Sequence, residues 1–271
     1  MAKRAFVETT VLTGLLLKQG QSKASAKRAL RRFDETLLPV YAIKEFKAGP
    51  LRRFVWLHNK LVQLNSFAAA IDALQRISRT PQRYLTSTAI EALHSSAFAI
   101  KSKKLSELVE KYGSEATADS FQKDEYRLAL KTAVLKAWKR RKNGFSAITQ
   151  PLSCYVEVAP QEQRGLLRLD PVRCSPAGGC CLGPELTKSE AVLEALKEAT
   201  DRIDNPEHKR RSKALREIAR KPKLGVTEEQ CRALGDAVFA FFAPADSVIL
   251  TTNLRDLQPL AEAVGKTAER P

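Results

Sequence analysis

The sequence predicts an α/β fold: a short, mostly parallel sheet packed between helices and interrupted by a large, mostly helical insertion. Three observations predict it. Short apolar runs that read as buried strands stand near both ends of the chain, at Ala5–Val7 and Val248–Leu250. Each is followed by an apolar helical pattern, the alternation that parallel strands require for their crossovers. Between them helical spacing dominates, with no internal repeat.

Taken in order, Ala5–Val7 is a strand and Val11–Lys18 the helix after it. Ala24–Phe33 is a basic helix carrying Lys27, Arg28, Arg31 and Arg32. The apolar run Leu37–Ile43 follows. Glu45 then opens a helical stretch that breaks near Gly49-Pro50, because proline cannot donate to the helix ladder. From Leu51 to Ile77 a single helical face is marked by Phe54, Leu57, Leu61, Leu64, Ala68, Ile71 and Leu74. Further helices are predicted at Ser87–Tyr112 and Lys123–Lys142. Residues 144–184 gather glycine, proline and four of the five cysteines, and read as irregular or short-strand structure. Helical spacing returns at Lys188–Ile203, and a basic segment occupies 209–223. Thr227 and Gln230 make a capping-box signal for a helix running through Asp236 to Phe242. Val248–Leu250 is the clearest strand, and Leu257–Val264 the last helix, stopped by Gly265. On this reading 1–80 and 225–266 form the core and 81–224 the insertion.

Composition narrows the function classes. Lys and Arg total 46 against 30 Asp and Glu, a formal net charge of +16, and the partner such an excess fits is a polyanion, above all a nucleic acid. No apolar run reaches the ~20 residues of a bilayer span, so no membrane partner is expected. Ala5–Leu17 follows Lys3 and Arg4 as a secretory leader would, but Glu8 inside it argues against one. Five cysteines, an odd number in a chain large enough to fold without disulfides, point to a reducing cytoplasm.

Acids stand at the edges of apolar runs at both ends of the chain: Glu8 after Phe6-Val7, Asp236 after Leu234-Gly235, and Asp256 after the run Val248 to Asn253. A fold that joins the ends would gather all three around one point. Clustered carboxylates commonly hold hard divalent cations through oxygen. Asp236, read as mid-helix beside Ala237 and Val238, has the least structural reason to be acidic. Asp256 has the alternative role of favouring a helix N-terminus.

These segments resemble the PIN-domain family of metal-dependent nucleases. The resemblance rests on Phe6-Val7-Glu8-Thr9-Thr10-Val11-Leu12, Val40-Tyr41-Ala42-Ile43-Lys44-Glu45, Gly235-Asp236-Ala237-Val238 and Val248-Ile249-Leu250-Thr251-Thr252-Asn253-Leu254-Arg255-Asp256, and covers residues 4–80 and 225–266. It implies a three-layer core in which Glu8, Glu45, Asp236 and Asp256 are the catalytic acids. They would hold Mg²⁺ or Mn²⁺, with Asn253 and Thr9 as further oxygen contacts. Glu45, like Asp256, has the alternative of favouring a helix N-terminus. The implied activity is endonucleolytic hydrolysis of phosphodiester bonds, in RNA by preference and in single-stranded DNA as the second option. Such domains act as toxins or antiviral-defence effectors restrained by a regulatory or inhibitory protein, and a homo-oligomer is compatible with this role. Glu8 stands where the family more often has Asp, and Thr10 where Asn is frequent. These departures keep open a second reading, a catalytically degenerate domain that binds nucleic acid or serves as a scaffold subunit.

Three basic clusters offer phosphate contacts: Arg28, Arg31 and Arg32; Lys139, Arg140 and Arg141; and Arg210, Arg211 and Lys213. Trp138 either stacks on an unpaired base or packs into the core, the latter being usual for large aromatics. Cys154, Cys174, Cys180 and Cys181 are numerous enough for a structural Zn²⁺, but paired C-x₂₋₄-C knuckles are absent and buried thiols are the favoured reading. His58, His94 and His208 have no Cys or Asp at ligand spacing, and no role is assigned to them.

Overall fold

In the computed structural model, residues 2–78, 113–150, 157–169, 180–221 and 226–271 are described, with positions 93, 107, 110, 111 and 152. The chain begins β1 (Arg4–Val7), α1 (Thr9–Leu16), α2 (Gly20–Leu30), β2 (Glu35–Pro39), α3 (Val40–Phe46), α4 (Arg52–Leu64) and α5 (Phe67–Ser78). After it come α6 (Glu115–Arg140), β3 (Ala147–Thr149), β4 (Gln161–Gln163), β5 (Leu166–Arg168), α7 (Leu182–Leu186) and α8 (Glu190–Asp201). The last part holds α9 (Pro206–Arg220), α10 (Glu228–Ala233), α11 (Gly235–Phe242), β6 (Ser247–Leu250), α12 (Leu254–Ala263) and β7 (Thr267–Glu269).

Five strands form one sheet in the order β3-β2-β1-β6-β7, and every pairing in it is parallel. This is the α/β architecture expected, with a helical elaboration around it. β1 lies at the centre, where Ala5, Phe6 and Val7 are fully buried, as a strand covered on both faces must be. From β1 the chain steps outward to β2 and β3. It then returns to the middle at β6 and steps the other way to β7. The order therefore reverses between β1 and β6, and loops leaving the two strands diverge at their carboxyl ends. Such a switch point leaves a crevice, the usual ligand position in open parallel sheets.

Packing across the sheet centres on Phe239 of α11, whose ring stands edge-on to Phe6 at 6.3 Å and to Tyr41 of α3 at 5.5 Å. Leu193, Leu196, Leu215 and Ile218, from α8 and α9, belong to the same buried core as Phe6. Part of the segment read as an insertion thus completes the core.

Several boundaries differ from the sequence reading. Leu51–Ile77 is two helices, because Asn65 turns left-handed (φ 51°) and Ser66 restarts the chain by accepting from the Ala69 amide. Asparagine is among the few residues that take this conformation at low cost. Pro39 ends β2 with extended backbone, so helix begins at Val40 and Glu45 lies near the end of α3 rather than opening a helix. The capping box of Thr227 and Gln230 is present as expected, but its helix stops at Ala233 and a new one starts at Gly235. Asp236 is consequently in a first turn, not mid-helix. β3 lies in the stretch read as irregular, and its three residues are largely exposed, so no apolar run marked it. Gly265 ends the last helix with φ 71°, as its position predicts. The helix expected at Ser87–Tyr112 falls almost wholly outside the described residues. Among the described residues no helix is long and apolar enough to cross a membrane.

Because Phe239 touches rings on both β1 and α3, Phe239→Ala is expected to cost about 3–5 kcal/mol of folding stability, measured by urea denaturation.

Candidate active site

Glu8 is the first residue past β1. Its amide donates to the Leu250 carbonyl at 3.0 Å, so the β1–β6 ladder continues one step into the crevice. Extended at φ −83°, ψ 161°, it caps α1: its carboxylate accepts from the Thr10 amide at 2.9 Å. The Thr10 hydroxyl also donates to Glu8 Oε2, as does the Thr251 hydroxyl at 3.0 Å. The Thr10 oxygen accepts from the Thr252 amide at 2.9 Å, and the Thr251 hydroxyl oxygen accepts from the Asn253 amide at 2.9 Å. Of the consecutive threonines after β6, Thr251 therefore holds the Glu8 carboxylate directly and Thr252 does so through Thr10, while the Asn253 amide supports Thr251.

Glu45 reaches the same crevice from α3. The Thr9 hydroxyl donates to its Oε2 at 2.8 Å, so Thr9 and Thr10 bind one acid each. A Cβ added at Gly235 would lie 2.6 Å from Glu45 Oε1. Only glycine allows the start of α11 to come this close to the carboxylate.

Burial dominates the titration of both acids. It pushes Glu45 up to about 8, helped by the charges of Glu8 and Asp236 and opposed by the Thr9 hydrogen bond. Burial likewise pushes Glu8 up to about 7, against the hydrogen bond from Thr10 and with the charge of Asp236. Two carboxylates thus share a poorly solvated site in which each disfavours the other's charge. A divalent cation between them would reverse both effects, and Mg²⁺ is often bound by one or two carboxylates with water and phosphate as its other ligands. The donor set of Glu8 and Glu45 fits such an ion.

Asp236 and Asp256 are arranged differently. Arg211 of α9 donates to Asp236 Oδ2 at 2.6 Å and, through Nε, to the Ala233 carbonyl at 3.0 Å. Burial raises the pKa of Asp236 and the Arg211 charge opposes the rise. Asp256 is buried too, yet hydrogen bonds from Arg255 and Asn253 outweigh that burial and hold its pKa below the ordinary value. His208, fully buried, places Nε2 at 3.7 Å from Asp256 Oδ1. Burial and then the charge of Arg211 lower its pKa, so it is neutral at pH 7. All four acids gather at one end of the sheet, but among the described residues no three His, Cys, Asp or Glu side chains are close enough to hold one ion.

Two expectations are corrected here. Arg211 does not offer its charge to a phosphate: it is buried against Asp236 while Arg210 and Lys213 of the same helix are exposed. His208, given no role, is part of the acid cluster, brought to Asp256 by a tertiary contact that spacing along the chain could not reveal. Arg28, Arg31 and Arg32 are exposed, as are Lys139 and Arg140. The charges of Lys27, Lys136 and Arg140 all act on Lys23, so the first two basic clusters adjoin. Arg141 stacks on Trp138 at 4.1 Å and pairs with Glu157, and Trp138 is a buried core residue. Cys180 and Cys181 are half-buried beside α7, whereas Cys154 and Cys174 lie outside the described residues.

Glu8 and Glu45 line an open cleft of about 1230 Å³. Lys18, Arg52, Arg53, Arg232 and Arg270 also line it, and so does Trp56. None of these was picked out from the sequence. Arg52, Arg53 and Trp56 share a helical face by their spacing, opposite the apolar stripe that marks the core side of α4. Comparison with known proteins finds no family model, no characterised protein and no solved structure that matches the chain.

Glu8 and Glu45 bind protons more tightly in the folded chain than in the unfolded one, so the metal-free protein loses their contribution as pH rises from 4.5 through about 7 and 8. Glu45→Gln should therefore be more stable than the parent at pH 8.5, by about 2 kcal/mol, and the gain should vanish at pH 4; paired chemical denaturations at the two pH values measure it. Gly235→Ala should cost less than about 1 kcal/mol, since the end of a flexible side chain can move aside, yet lower divalent-cation affinity by about 10-fold, measured by calorimetric titration.

Proposed function

We propose that this protein is a metal-dependent endonuclease of cytoplasmic nucleic acid, with Glu8 and Glu45 holding the catalytic cation. One observation carries the reading. Two mutually destabilised carboxylates open, at the switch point of a parallel sheet, into a cleft whose lining carries Lys18, Arg52, Arg53, Arg232 and Arg270. Such a cation, when bound, lowers the pKa of a coordinated water and stabilises charge on the scissile phosphate.

The other tasks fall to the chain. Thr10 and Thr251 orient Glu8, and Thr9 orients Glu45. The basic lining draws a phosphate backbone across the acids, with an affinity that falls steeply with salt. Trp56, half-buried in the cleft, supplies a face on which an unpaired base stacks. The preference for RNA over single-stranded DNA, and a role as an effector restrained by a protein partner, come from the PIN resemblance. The second reading, binding without cleavage, is favoured by the engagement of Asp236 and Asp256 with Arg211, His208 and Arg255.

Labelled RNA and single-stranded DNA, incubated with Mn²⁺, Mg²⁺ or EDTA, separate the two. Cleavage is expected only with metal and should fall at least about 100-fold in Glu45→Gln, while binding persists. Cleavage that survives EDTA or Glu45→Gln would overturn the reading, and binding with no cleavage under any condition would select the second. Replacing Arg52 and Arg53 by Gln should make the salt dependence of binding shallower, by about one unit of slope for each phosphate no longer neutralised.

A further inference from the structure

Arg211 is a long cationic side chain in a basic helix, yet it is only 4 % exposed. Its guanidinium is held on every edge. Nη2 donates to Asp236 Oδ2 at 2.6 Å, Nε donates to the Ala233 carbonyl at 3.0 Å, and Nη1 lies 3.2 and 3.4 Å from the two ring nitrogens of His208. His208 in turn places Nε2 3.7 Å from Asp256 Oδ1. Ala233 ends α10 and Asp236 lies in the first turn of α11, so Arg211 spans the break between the two helices. That break brings Gly235 against Glu45.

A guanidinium does not lose its charge in a protein, and its planar fork suits a carboxylate. A buried charge of this kind needs its partner, because removing one member of such a pair leaves the other desolvated. A divalent cation that took Asp236 as a ligand would have to share its carboxylate with Arg211, which holds Oδ2, and stand beside a second, buried positive charge. Mg²⁺ also demands near-octahedral oxygen ligands, and a guanidinium and an imidazole already pack against this half of the cluster.

We propose that Arg211 is the resident cation of the Asp236–Asp256 half of the cluster. It stands in for a second metal ion, so that the centre takes one divalent cation, and Asp236 acts as an anchor for Arg211 rather than as a ligand. Through the α10–α11 break Arg211 is a positioning residue for Glu45. The inference rests on the metal-dependent reading above and goes beyond it in the number of ions and in the part played by α9.

Mn²⁺ titration of the full chain, followed by the electron paramagnetic resonance of free Mn²⁺, tests it without reference to activity. The intact protein should bind one Mn²⁺. Asp236→Asn should still bind one, with affinity changed by less than about 3-fold, while Glu45→Gln should lose about 100-fold. Arg211→Gln, checked for folding by circular dichroism, should admit a second, weaker Mn²⁺, and Arg211→Lys should restore a single site. Should Arg211→Gln fail to fold, the intact protein and Asp236→Asn still decide the matter. Two ions on the intact protein, or an Asp236→Asn loss as large as that of Glu45→Gln, would overturn the inference and leave the metal centre standing. No Mn²⁺ binding at all would remove both.

Discussion

Everything at the site depends on the parallel pairing of β1 with β6. Arg4 lies opposite Ser247 and Val7 opposite Leu250, and the ladder ends with the Glu8 amide on the Leu250 carbonyl. This pairing joins segments from opposite ends of the chain. It is non-local, so its loop-closure cost must be met by burial, and Ala5, Phe6, Val7, Ile249 and Leu250 are all buried almost completely. Once the strands are in register, the residue after β1 and the threonines after β6 can only emerge side by side.

A second constraint follows from putting carboxylates there. A buried acid must be hydrogen-bonded, paired or protonated. The cluster answers this requirement differently at different acids. Hydroxyls of Thr9, Thr10 and Thr251 bind Glu8 and Glu45 without neutralising them, and their charge remains costly. Asp236 is paired with Arg211, whose charge opposes the rise that burial imposes on its pKa. Asp256, contacted by Arg255 and by neutral His208, keeps its charge by hydrogen bonding. Among the described residues, the two acids of this cluster that line the cleft are those with no fixed cation hydrogen-bonded to them, whereas Asp236 and Asp256 each have an arginine donor.

Charge elsewhere has a similar logic. A net charge of +16 spread over the surface attracts polyanions without choosing a place for them. The cleft adds the choice, since arginines of α4 and α10 and Lys18 after α1 line the same space as Glu8 and Glu45. Basic residues on α2 and at the end of α6 adjoin one another and are not among the residues that line the cleft.

By itself the sequence determined the elements whose cause is local. Short apolar runs made β1 and β6 legible, the capping box marked α10, and Gly265 marked the end of α12, because propensity, capping and left-handed turns act within a few residues. It also placed Glu8 after one strand and Asp256 at the start of the helix after the other. What only the tertiary structure decided was the grouping. β3 has too little buried surface to leave an apolar signature, and the break at Leu234 that moves Asp236 into a first turn is clamped by Arg211 from the preceding helix, through contacts that no local signal marks. Burial of Arg211, the approach of His208 to Asp256 and the placing of Arg52 and Arg53 around the same cleft as Glu8 and Glu45 are relations between elements. No periodicity encodes them, since they depend on how the faces pack and not on which faces exist.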